Sequence, residues 1–204
     1  MLSILIAAGW PVIPLLLASV LGLALIFERL MALQRRRVLP PGLIDQVLDM
    51  VRRGQDSSDA LARLDTHSPL GRVLAEVVRS RHLPRAEQRL AVEDAGRAEG
   101  HRLGRYLSAL GTIAVVAPLL GLFGTVVGMI EIFGAYQPEG GDPTQLARGI
   151  SIALYNTGFG ILIAIPAMIF HRHLRTRVDG FLRDMEAAAT RLIRLLGRAE
   201  GPSA

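Results

Sequence analysis

The chain has 204 residues, half of them hydrophobic, and it carries 23 arginines, 18 acidic residues, no lysine and no cysteine, for a formal net charge of +5. The missing lysine excludes P-loop nucleotide hydrolysis and Schiff-base chemistry, and the missing cysteine excludes disulfides, thiolate metal sites and cysteine nucleophiles. The arginines are interspersed with acids beside apolar blocks, a pattern that serves orientation and contact with anionic membrane lipid, so no nucleic-acid partner is expected.

Three stretches lack Asp, Glu, Arg, Lys and His altogether: Leu2 to Phe27, Tyr106 to Ile130 and Gly149 to Phe170, of 26, 25 and 22 residues. About 20 helical residues cross a hydrocarbon core, so each block is long enough to span a bilayer. The continuous apolar runs do not alternate as the strands of a membrane barrel would. An all-α integral membrane protein with three transmembrane helices follows.

The first block (1–30 with its flanks) has no charge ahead of it, while Glu28, Arg29, Arg35, Arg36 and Arg37 follow it, so it reads as an uncleaved span and not as a signal peptide. Fifteen arginines lie between Arg29 and Arg105, seven follow His171, and only Arg148 falls between the second and third blocks. By the positive-inside rule the N-terminus is external, 31–105 is cytoplasmic, 135–148 is a short external loop, and 172–204 is cytoplasmic.

Within 31–105, breaks at Leu39 to Pro41 and Arg53 to Ser58 bracket a helix at about Leu43 to Val51, and Ser58 to Leu64 predicts another short one. After Ser68 and Pro69, Leu70, Val73, Leu74, Val77 and Val78 make one apolar stripe. Beyond Pro84 a second pattern (Leu90, Ala91, Ala95, Ala98, Leu103) runs without a clear stop into the second span, 106–134. The third span, 149–171, is followed by apolar residues at threes and fours from Leu174 to Leu196. The second and third spans are therefore expected to continue as long helices that pack together in a cytoplasmic bundle.

The second span is broken by Pro118, Gly121, Gly124, Thr125 and Gly128, which plain anchoring does not need. Ala114, Pro118, Gly121, Thr125 and Gly128 share one narrow face, and Gly149, Ala153, Thr157, Gly160, Ala164 and Ala167 do the same on the third span. Small residues let backbones approach closely, and each face adds a hydroxyl at depth. Thr125 and Thr157 either bond a neighbour, a water or an ion-carrying group, or bond their own backbone carbonyls and mark tight packing alone.

At these motifs the chain resembles a known family. APLLGLFGTVVGMI, Ala117 to Ile130, and GISIALYNTGFGILIAIPAM, Gly149 to Met168, are similar to the second- and third-span signatures of the MotA/TolQ/ExbB proton-channel family. Gly9 to Leu30 resembles the first span of its short ExbB-type members. The resemblance implies a homo-oligomeric ring, a pentamer, in the bacterial inner membrane. Its second and third spans line a pore that holds an ExbD-like single-span partner carrying a membrane Asp. Proton flow through the pore drives a TonB-like energy transducer for outer-membrane transport. It further implies Thr125 and Thr157 as pore hydroxyls and Pro118 and Pro166 as shapers of the helices. Glu131, about 9 Å beyond Thr125 along a helix, either gathers protons at the external mouth or, the favoured reading, is an interfacial carboxylate near Arg148, and Asn156 is either a further polar group of the path or an interhelical bond.

The chain has no acid in mid-membrane, so the titrating carboxylate is the partner's. It also departs from the family: many members have Glu three residues after the opening Gly of the third-span motif, where this chain has Ile152. A TolQ-like role in envelope integrity and a non-conducting scaffold ring are the alternatives. No cofactor or metal is expected: His171 and His173, two apart, point to different sides of a helix. No nucleophile elbow or paired-carboxylate constellation is present, so enzymatic chemistry is not expected.

Overall fold

A computed structural model describes residues 9–135 and 143–199. The described chain is helical, with no strand among the described residues: α1 Val12–Ala32, α2 Arg35–Val38, α3 Leu43–Arg52, α4 Ser58–His67, α5 Pro69–Arg79, α6 Arg85–Leu103, α7 Leu107–Ala135 and α8 Pro143–Ala199. Among the described residues three stretches are long and apolar enough to cross a membrane, Val12–Ala32, Leu107–Gly134 and Gly149–Arg198.

Two of the expected continuities resolve differently. The third span does run on, as one helix of 57 residues. The second is entered through a tight turn: α6 ends at Gly104, whose N–H closes onto Gly100 O, and Tyr106 adopts a φ of 66° before α7 begins. A non-glycine residue in the left-handed region cannot continue a right-handed helix, so the apolar pattern crosses a break that periodicity does not register. Of the external loop at 135–148, residues 136–142 lie outside the described residues, and α8 already begins at Pro143.

The chain divides into two compact units, one from residues 1–29 and 106–173, the other from 30–105 and 174–204. In the second unit α5 is the most enclosed element. Leu70, Val73, Leu74, Ala75, Val77 and Val78 are all buried, and each large side chain of this kind removed from water contributes about 1.5–3 kcal/mol. Ser68 starts the helix by accepting a hydrogen bond from Gly71 N at 3.0 Å, with Pro69 in the first turn where its missing N–H costs nothing.

Glu99 of α6 is enclosed there, bonded twice by Arg72 (2.6 and 2.7 Å) and once by Arg102 (2.9 Å). Arg72 also donates to Asp65 O at 3.0 Å. The bond to Glu99 holds the Arg72 guanidinium above its ordinary pKa, with burial pulling the other way. The part of α8 in this unit buries Leu174, Val178, Phe181, Met185, Ala189, Leu192 and Leu196. Gly100 meets the Leu182 side chain, and Arg35 of α2 reaches Asp184 at 3.1 Å.

In the first unit α1 packs against α7 and α8. Gly22 faces Ile113, Trp10 meets Phe123 edge-on at 6.1 Å between centroids, and a groove of about 420 Å³ lies between α1 and α8 along Leu15, Ser19, Phe159 and Pro166. Arg29 is buried, paired with Glu28, and its guanidinium lies 5.2 Å from the Tyr106 ring centroid. Such a stack suits a cation at the end of a span, where water no longer screens it fully.

Candidate functional site

The centre of the first unit is the seam between α7 and α8. On α7 the buried positions are Leu107, Leu110, Ala114, Ala117, Gly121, Gly124 and Gly128, at alternating steps of three and four. On α8 they are Gly149, Ala153, Asn156, Gly160, Ala164 and Ala167. Alternating threes and fours are the repeat of two helices lying side by side, and small side chains at those positions bring the axes close.

Contacts fix the pairing. A Cβ on Gly160 would lie 2.6 Å from Ala117 O and 3.1 Å from Gly121 Cα; one on Gly121 would lie 2.7 Å from Asn156 O. Gly124 leaves room for the Asn156 side chain, whose Cβ and Cγ would each be 2.7 Å from an added methyl. Gly128 faces Ala153, and Gly149 faces the Ile132 side chain. The helices are antiparallel, and Thr157 stands opposite Gly121, one turn of α7 before Thr125.

The sequence reading placed Pro118 and Thr125 on the packed face itself, and this requires correction. Each is one residue past a seam position, Ala117 and Gly124, and a step of about 100° turns it to the flank. Gly111, Pro118, Thr125 and Ile132, seven apart, are all half-buried and form that flank. The opposite flank, Ile113, Leu120 and Val127, is the one α1 covers, as the Gly22–Ile113 contact records. On α8 the same logic puts Thr157 and His171 on the flank that carries Thr125, Pro118 and Gly111. It puts Ile152, Phe159 and Pro166 on the α1 side, where Phe159 and Pro166 line the groove.

The two hydroxyls are used differently. Thr125 Oγ1 donates to Leu122 O of its own helix at 2.6 Å. Thr157 Oγ1 points across the seam to Gly121 O at 3.5 Å, at the outer limit of a hydrogen bond, so its proton is available to a better acceptor. Asn156 is fully buried in the seam and donates to Ile152 O at 3.1 Å. Glu131 is exposed, about 9 Å along α7 from Thr125, and is not brought to the threonines. The sequence reading did not anticipate that His171 packs on Gly111, where a Cβ would lie 3.1 Å from Nε2; His173 is exposed. The signal was present as a glycine one step past Leu110.

Large apolar side chains cover the outer faces, among them Leu119, Leu122 and Val126 on α7 and Leu154, Leu162 and Ile165 on α8. No cluster of metal-ligating residues occurs among the described residues.

Residues 65–187 match the family described as the MotA/TolQ/ExbB proton channel family. The chain is 35% identical over 170 residues to biopolymer transport protein ExbB-like 1 of Synechocystis sp., covering 81% of this chain and 67% of that one. It is 31% identical over 151 residues to the biopolymer transport protein ExbB homolog of Methanothermobacter thermautotrophicus, covering 74% and 53%. With biopolymer transport protein ExbB of Salmonella typhimurium it shares 31% identity over 115 residues, 56% of this chain and 45% of that one. The chain thus spans about half the length of the latter two relatives.

Proposed function

Because this chain belongs to the MotA/TolQ/ExbB proton channel family, we propose that it is the ExbB-like subunit of an inner-membrane motor, in which the flank bearing Thr125 and Thr157 lines the proton path. The observation that carries this reading is that the two hydroxyls lie on one flank of the seam, about a helical turn apart, on the side away from the Gly22–Ile113 contact. Copies of the chain form a ring, a pentamer, with α7 and α8 inward and α1 at the periphery. The N-terminus is periplasmic and the Arg-rich segments are cytoplasmic.

The ring's partner is an ExbD-like single-span protein. Its membrane Asp takes a proton, is released as the neutral acid, and gives the proton up on the other side. Thr157 donates a hydrogen bond to the charged carboxylate in preference to the long contact with Gly121 O, because a charge-assisted bond is about twice as strong as a neutral one. A TonB-like protein carries the resulting motion to outer-membrane transport. Pro118, on the same flank, leaves the Ala114 carbonyl without its helical donor and so offers a further acceptor along the path.

One observation favours a non-conducting scaffold as the second reading: the Thr125 hydroxyl is already bonded to Leu122 O. Proton flux into proteoliposomes containing the complex separates the two. Thr125→Val with Thr157→Val abolishes flux and leaves the assembly intact if the flank conducts. Wild-type flux in that double variant would take the path off this flank, and a wild-type complex that passes no protons would establish the scaffold.

A further inference from the structure

Between Leu107 and Ile130 the chain has no titratable side chain, and between Gly149 and Phe170 it has only Tyr155, which is exposed and two residues short of Thr157, on another side of α8. The next titratable group toward the Arg-rich end of α8 is His171.

Its placement is specific. Thr157 and His171 are 14 residues apart, which is four helical turns less about 40°, so they leave α8 in nearly the same direction, about 21 Å apart along the axis. Thr125 and Gly111 are also 14 apart on the antiparallel α7, and the His171 ring rests on Gly111, within 3.1–3.4 Å of where a Cβ would stand. Both ends of one flank are thus marked, by two threonines about a turn apart and by a half-buried imidazole further along. Glycine at position 111 lets the ring lie this close, since a Cβ there would already require it to shift by a few tenths of an ångström and a branched side chain by more.

We propose that His171 is the proton-transfer group at the cytoplasmic end of the path. This deepens the proton-channel reading and rests on it. The imidazole accepts a proton at one ring nitrogen from water on the flank and releases the proton on the other nitrogen to the cytoplasm, returning to the neutral ring. Imidazole is suited to this because its ordinary titration falls between about pH 5 and 8. The charged and titratable groups around this end are Arg172, His173 and Arg175 on its own helix, none on α7 after Tyr106, and on α1 the Glu28–Arg29 pair, whose guanidinium is stacked on Tyr106.

The test is proton flux through the full complex in proteoliposomes, with the pH on the Arg-rich side varied from about 5.5 to 8. The wild type shows a titration step in this window. His171→Asn, which keeps a polar side chain of similar reach and cannot titrate there, loses the step and lowers flux at least tenfold at neutral pH, with the ring intact. Gly111→Val, which displaces the ring, does the same. A His171→Asn profile that superimposes on the wild type overturns the proposal, and so does a wild-type profile without a step, which needs no variant to fold. The Thr125→Val, Thr157→Val variant separates the two levels: if it loses flux while His171→Asn retains the wild-type profile, His171 alone is wrong, whereas wild-type flux in the threonine variant removes the flank as the path and with it His171, and a wild-type complex without flux removes the channel reading itself.

Discussion

Gly160→Ala tests the seam where it is tightest. The added methyl would stand 2.6 Å from Ala117 O and 3.1 Å from Gly121 Cα, both backbone atoms that no rotamer change can move. Ordinary contact begins at 3.4 Å, so 3.4 − 2.6 = 0.8 Å must come from parting the two helices. A gap of 0.5–1 Å already forfeits about a quarter to a half of each dispersion well along the seam. In hydrocarbon no hydrophobic drive compensates, because lipid is as apolar as the side chains. Overpacking of this kind costs about 1–3 kcal/mol.

The matched control is Gly158→Ala, two residues away on the same helix, where nothing lies within 4 Å. Both substitutions gain the same intrinsic helix preference of alanine, about 1 kcal/mol, so it cancels in the comparison. Unfolding of the purified full chain in mixed micelles with increasing SDS, followed by circular dichroism, should place Gly160→Ala below Gly158→Ala by about 1–3 kcal/mol. Variants that agree within about 0.5 kcal/mol would refute the seam as described.

Two further outcomes concern the second unit, read by thermal unfolding. Ser68→Ala removes the cap on Gly71 N from a buried position and should cost about 1–2 kcal/mol, while Ser68→Gly should cost only a few tenths. Glu99→Ala removes the bidentate partner of Arg72, whose part-exposed guanidinium then turns to water, and should cost about 1.5–3 kcal/mol, whereas Arg72→Met with Glu99→Leu should recover most of that loss, as apolar replacement of a whole pair usually does.

The spans were legible because length and the absence of charge suffice to identify them, and the breaks at Arg53 to Ser58 and at Ser68 and Pro69 marked where α4 and α5 begin. Periodicity put Gly121, Gly128, Gly149, Ala153 and Gly160 at threes and fours, and in the structure these glycines and Ala153 lie along the contact of α7 with α8. It erred by one residue at Pro118 and Thr125. The i+3 and i+4 neighbours of a seam residue differ in direction by about 100°, and without a partner helix nothing in the sequence says which of them is covered. The break at Tyr106 was hidden for a different reason. Left-handed backbone is normally announced by glycine or asparagine, and here a tyrosine adopts it, with its ring beneath Arg29. The contact of His171 with Gly111 joins residues 60 positions apart, beyond the reach of any local pattern.

The departure at Ile152 can be weighed on the same geometry. Ile152 and Thr157 are five residues apart, or about 140° around α8, so Ile152 lies with Phe159 and Pro166 toward α1 and not with the threonines. A carboxylate at 152 would then sit off the flank that carries the path, and its replacement by isoleucine leaves that flank unchanged. Restoring the acid by Ile152→Glu should therefore leave proton flux within about twofold of the wild type. It would still cost about 2–4 kcal/mol of stability if ionised deep in the span, or raise the side chain's pKa until it is neutral. The backbone carbonyl of residue 152, which accepts from Asn156, is retained in the variant, so the seam has no separate reason to open. A several-fold rise in flux on Ile152→Glu would mean that the conducting surface includes the α1 side of α8, and the assignment of the path to the Thr125–Thr157 flank would have to be abandoned.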